Sequence, residues 1–284
     1  DIEEGIKELE KSIKTLYKYK DSRLTDIQKS TKKIAIFDYE NNLKELKQFP
    51  YHDYPLNQIG GTHLNTIQFL SDMHPIRSIS EAEGFISRVN LVKEVYEGTV
   101  KDLERQADAG IFPPEFVYKH VIEQLNEFIN FNYEEHPLFT QFMKKVKDLN
   151  LDSEKEFLFE EAIKRGIDES VTPGFILLKD FMVKTQKSAN KNHGIWSQPN
   201  GDEYYKLRIR SYTTTDYSPE EIHQMGLSEV ERISTRMKEI LVMLGYDKNK
   251  TVGVLMNELN ESPQFLYSDT PDRKDIVVND YMEM

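Results

Sequence analysis

Residues 80–130 read SEAEGFISRVNLVKEVYEGTVKDLERQADAGIFPPEFVYKHVIEQLNEFIN, and this stretch decides the fold class. Ser80 and Glu83 have the spacing of a capping box, in which a hydroxyl and a carboxylate satisfy the free amides of a helix start. A long helix to Ala109 is predicted to follow. Gly110 is a stop, and Pro113-Pro114 restart the chain with proline tolerated in a first turn, so Glu115 to Asn130 form the next helix. The stretch is a helical hairpin.

The same grammar extends in both directions. Ile2, Ile6, Leu9, Ile13 and Leu16 recur at alternating spacings of four and three, one apolar stripe of an opening helix. A second helical pattern runs through Ile34, Phe37, Leu43 and Leu46 and breaks in FPYHDYPLNQIGG, residues 49–61, a structured loop. Downstream, helices are predicted over 137–148, 153–165 and 175–187, with Gly166 and Pro173-Gly174 separating the last two. Ser218-Pro219-Glu220-Glu221 opens another, reaching Leu244 before Gly245. Thr251 to Leu259 form a short helix, and a last one starts at Arg273 and is still running at Met284. The expected fold is all-α, a single helical domain or lobe over 1–284, and the unfinished final pattern points to a fragment of a longer chain.

Composition narrows the partners. Fifteen Phe and fifteen Tyr in 284 residues supply more burial than a disordered chain carries. The 37 basic and 49 acidic residues give 37 − 49 = −12, with no basic stripe to track a phosphate backbone, so nucleic acid is not an expected partner. No apolar run approaches the roughly 18 residues of a membrane-spanning helix. With no cysteine, disulfides and thiolate chemistry are excluded, while the compartment stays open.

Catalytic signals are sparse. None of the seven histidines is followed by Glu, and none has a second histidine one turn away, so the His-Glu-x-x-His pattern of helical zinc hydrolases is absent. His120, Glu123 and Glu127 share one helix face and could bind a metal with help from elsewhere, but read better as an exposed polar face. Ser30/Lys33 and Ser188/Lys191 have serine–lysine spacing in solvated, lysine-rich surroundings that would not lower a lysine pKa. Gly60-Gly61 lack the framework of a phosphate loop and read as a tight turn. His223 reads as a packed or surface residue, and Asn249 and Asn260 as chance matches to glycosylation acceptors. Trp196, Tyr204 and Tyr205 could line a ligand groove or seal the core around a loop, the second being favoured.

YPLNQIGG at 54–61, AGIFPPEFV at 109–117, WSQPNGDEYY at 196–205 and RSYTTTDYSPEEIHQMGLSEV at 210–230 together resemble the bacterial domain-of-unknown-function family numbered 885. Full-length members of that family look like zinc metallopeptidases. The resemblance implies a multi-helix N-terminal lobe similar to the helical lobe of large two-lobed metallopeptidases, walling a substrate cleft. It implies a zinc motif in a C-terminal half that this sequence does not contain, hence no metal or catalytic group within 1–284. On this expectation Trp196, Asn200, Tyr204, Tyr205, Thr213, Thr214 and Thr215 contact a peptide-like substrate, and the other partner is the chain's own C-terminal half. An exported or lipid-anchored envelope location is favoured. The rival reading is a non-catalytic helical module that binds a protein or peptide through its aromatic loops.

Overall fold

The computed structural model describes residues 2–284, and its regular elements are helices; among the described residues there is no sheet, only a lone parallel bridge between Pro114 and Asn190. The all-α expectation is therefore met. The residues fall into two compact units, 1–213 and 214–284, where the sequence reading has one lobe.

The first unit opens with α1 (Ile2–Lys18) and α2 (Asp26–Gln48), an antiparallel pair. Thr25 and Gln28 form a capping box at the start of α2. The pair is stitched at its rim: Lys47 meets Glu10 at 2.5 Å, and Lys32 donates to the Tyr19 carbonyl at 2.7 Å. The stripe of α1 lies against α2, yet of the whole pair only Asn41 is buried.

The main core surrounds α9 (Thr172–Thr185), whose Phe175, Leu178 and Met182 are fully buried. Helices α5 (Val92–Asp108) and α6 (Glu115–Asn130) pack on it, with Tyr96 edge-on to Phe175 at 5.3 Å and Phe128 stacked on Phe175 at 4.8 Å. Around them lie α3 (Thr62–Gln68), α4 (Ile79–Val89), α7 (Pro137–Lys147) and α8 (Ser153–Gly166). Phe85 of α4 stacks on Phe142 of α7 at 4.8 Å. Such interlocked rings add specificity to a core already driven by apolar burial.

Two boundaries differ from expectation. The predicted long helix from Ser80 is two helices, broken at Asn90-Leu91, and its cap is Ser78, whose hydroxyl accepts from the Glu81 amide. The same Ser-x-x-Glu spacing exists two residues upstream of the expected one. It wins because Glu81 is gripped by the Arg77 side chain and accepts from the Arg77 amide at 2.6 Å. Nor do Gly166 and Pro173 end a helix. The chain runs from α8 into α9 through a π-helical turn, Ile167–Val171, which absorbs the amide that Pro173 lacks. The glycines serve close approach instead: a β-carbon on Gly166 would lie 2.8 Å from Val89 Cγ1, and one on Gly174 2.8 Å from the Tyr96 ring.

The first unit closes with α10 (Gly201–Thr213), a helix the sequence pattern does not announce. It packs on α2 and buries only Gly201, Tyr204 and Leu207. The second unit consists of α11 (Pro219–Met243), α12 (Val252–Asn260) and α13 (Arg273–Glu283), close to the predicted spans. Ser218 and Glu221 make the expected capping box.

Candidate functional site

Three of the quoted motif segments converge on one polar knot in the first unit. The 49–61 loop leaves α2 at Phe49, and the Gln106 amide at the end of α5 donates to the carbonyls of Tyr51 and Asp53, both at 2.7 Å. Held this way, the loop presents His52, whose Nε2–H donates to the Pro199 carbonyl at 2.7 Å. The Tyr204 hydroxyl donates to Asp53 Oδ1 at 2.8 Å, and the Gln198 amide meets the Tyr54 hydroxyl. Phe49, His52 and Tyr204 pack ring on ring, 4.8–5.4 Å between centroids. On the far side Asn190 bridges to 109–117: its amide donates to the Pro113 carbonyl, its carbonyl accepts from Glu115, and its side chain donates to Ser197 Oγ at 2.6 Å.

The proposed contact residues divide within this frame. Trp196 sits on a 3₁₀ turn, Ile195–Ser197, and is 63% exposed. Asn200 has φ 55°, a left-handed position that asparagine tolerates, and its carbonyl accepts from the Tyr204 amide to start α10. Tyr205 is exposed, whereas Tyr204 is buried, its phenol pushed above the usual range by burial and by the Asp53 carboxylate it donates to. Of the three aromatics, then, Tyr204 seals the small core of Phe49 and Leu207 and the other two face outward. Thr213 ends α10 with its hydroxyl on the Ile209 carbonyl, while Thr214 (φ 55°) and Thr215 belong to the second unit.

Sequence reading missed Arg208. Its guanidinium pairs with Glu45 at 3.0 Å, bonds the Tyr212 hydroxyl at 3.2 Å and lies 5.2 Å from the Tyr212 ring centre. With Leu9, Glu45, Phe49 and Asp53 it lines an open cavity of about 480 Å³. Tyr204, Arg208 and Tyr212 are spaced four apart on one face of α10, a signal that was legible had the segment been read as a helix.

The whole of residues 1–284 matches the family described as "Bacterial protein of unknown function (DUF885)". The chain belongs to this family. Comparison with curated proteins found no match. Among solved structures, the crystal structure of the "putative lipoprotein from Colwellia psychrerythraea" is similar, with a TM-score of 0.87 and 25% identity, over 98% of this chain. The shared part is 49% of that protein, so the chain spans about half of its length.

The remaining candidates in this DUF885 chain stay apart from the knot. His120 Nδ1 meets Glu123 at 3.3 Å on an exposed face, and among the described residues no three His, Asp or Glu side chains are placed to hold a metal ion. Ser30, Lys33, Ser188, Lys191 and His223 are exposed. Gly60-Gly61 form the expected turn, with the Gly60 amide on Asn57 Oδ1 at 2.8 Å and the Gly61 amide on the Asn57 carbonyl. The four buried histidines have structural partners: His52 as above, His63 on Gln124, His74 between the Pro75 carbonyl and Arg88, and His136 capping α7. Burial holds the His63 imidazole below its usual range. Among the described residues no helix is long and apolar enough to cross a membrane.

Proposed function

We propose that this chain is the helical, non-catalytic N-terminal part of a metallopeptidase-like hydrolase, walling the cleft in which a longer polypeptide binds a peptide-like substrate. The observation that carries the reading is the match in fold to a protein twice as long, of which this chain accounts for one half. The motif resemblance implies zinc ligands and a general base in the other half. Within 1–284 the knot offers shape rather than chemistry: Tyr204 is bonded to Asp53, Arg208 to Glu45 and His52 to the Pro199 carbonyl, and it holds no nucleophile beside a base. Trp196, Asn200 and Tyr205, exposed on a segment braced from three sides, are the proposed peptide contacts, with Tyr204 holding their segment in place. The lipoprotein description of the similar structure favours the cell envelope.

Two preparations test this: residues 1–284 alone and the complete gene product, each assayed on a peptide library with and without zinc. Zinc-dependent cleavage by the complete product and none by 1–284 is expected. Cleavage by 1–284 itself, or a complete product that takes up no zinc, would overturn the reading; peptide binding without cleavage would favour a non-catalytic binding module.

A further inference from the structure

α11 carries an apolar seam that its own unit leaves open. Val230, Ile233, Met237, Ile240 and Leu244 recur at spacings of three and four, the 3.5-residue repeat by which one helix interlocks with another. Val230 is 64% exposed and Leu244 65%; Ile233 and Ile240 are exposed as well, and Met237 between them is half-buried. The charges beside the seam are consumed within the helix, Glu229 with Arg232 at 2.7 Å and Arg236 with Glu239 at 2.8 Å. What remains along the seam is apolar. Across residues 214–284 only Leu241 and Leu255 are buried apolar side chains, far too few to hold a unit of that size by itself. A contiguous apolar stripe over more than three turns marks an interface.

The similar C. psychrerythraea protein has as much polypeptide again outside the part it shares with this chain. We propose that the Val230–Leu244 seam of α11 docks an apolar helix supplied by the same protein from outside residues 1–284. A segment tethered in the same molecule meets the seam at an effective concentration in the millimolar range, which a second copy does not match. The inference rests on the functional reading only for the existence of further polypeptide, and needs no hydrolysis.

The test uses the complete gene product with photoreactive benzoylphenylalanine at Val230, at Leu244, or at Thr235 on the opposite face of α11. Irradiation and mass mapping should give intramolecular cross-links from Val230 and Leu244 to peptides outside residues 1–284, at least ten-fold over Thr235. Cross-links to a second copy, cross-links confined to residues 1–284, or equal yields at all three positions would overturn the docking. A product that cross-links as expected but cleaves no peptide would sink the functional reading and leave the docking standing.

Discussion

His136 shows how one buried side chain sets a pH limit. It is 1% exposed, lies edge-on to Phe131 at 5.9 Å, and its Nδ1 accepts from the Leu138 amide at 3.2 Å, so the neutral imidazole caps α7. Burial pushes its pKa down to about 4. In the unfolded chain the ring titrates near 6.5. Between those two values the unfolded state binds a proton that the folded state refuses, so this contribution is complete above about pH 6.5 and is lost as pH falls towards 4. At 1.36 kcal/mol per pKa unit the loss is at most about 3 kcal/mol. Urea midpoints measured from pH 7 to 4 should fall steeply for the native chain and less steeply for His136→Asn, which keeps a capping oxygen without the titration. Equal slopes would refute the assignment; His63 and His74, shifted the same way, contribute to the residual slope. The adjacent tyrosines give a second contrast at this scale. Tyr204→Phe removes a hydrogen bond to a carboxylate and should cost about 1–2 kcal/mol. Tyr205→Phe should stay within about 0.5 kcal/mol. Chemical denaturation of both variants decides whether the buried member of the pair is the structural one.

Among the elements, periodicity and capping made the long helices legible: α6 begins and ends where Pro113-Pro114 and the apolar spacing place it, and α11 begins at its capping box. What escaped was short or indirect. α10 hides because two large buried side chains, Tyr204 and Leu207, make no stripe. Gly166 and Gly174 misled because a glycine that breaks a helix and one that admits a neighbour look alike in sequence. Substitution separates the two meanings. Alanine is the better helix former by about 1 kcal/mol, so Gly98→Ala in α5, where an added β-carbon meets nothing within 4 Å, should stabilise by about 0.5–1 kcal/mol. Gly174→Ala puts that carbon 2.8 Å from the Tyr96 ring and 3.3 Å from the Lys93 Cα, and Gly166→Ala puts it against Val89 and Asn90. Both should destabilise by about 1–3 kcal/mol despite the better propensity. Thermal melts of the three variants would expose an error if all moved in the same direction.

Across the molecule, apolar burial is unevenly shared, and that imbalance was invisible in the sequence because the second unit has apolar spacing as regular as the first. Regular spacing says which face of a helix seeks cover, and only the packed structure says whether cover is present. The knot was illegible for a related reason: His52, Asp53, Gln106, Pro199 and Tyr204 come from segments up to about 150 residues apart, and nothing local pairs them. In the first unit α5, α6 and α9 each bury rings and aliphatic side chains along two turns or more, whereas α13 buries none and α11 only Leu241. Opening free energy follows such burial, from near zero for exposed helices to the global value in the core. Hydrogen exchange on residues 1–284 should therefore find the amides of α5, α6 and α9 exchanging only through global unfolding. Those of α11 and α13 should exchange at least a hundred-fold faster, a difference of about 2.7 kcal/mol in opening free energy. Uniform protection across both units would mean that the second holds itself together without the partner its exposed seam calls for.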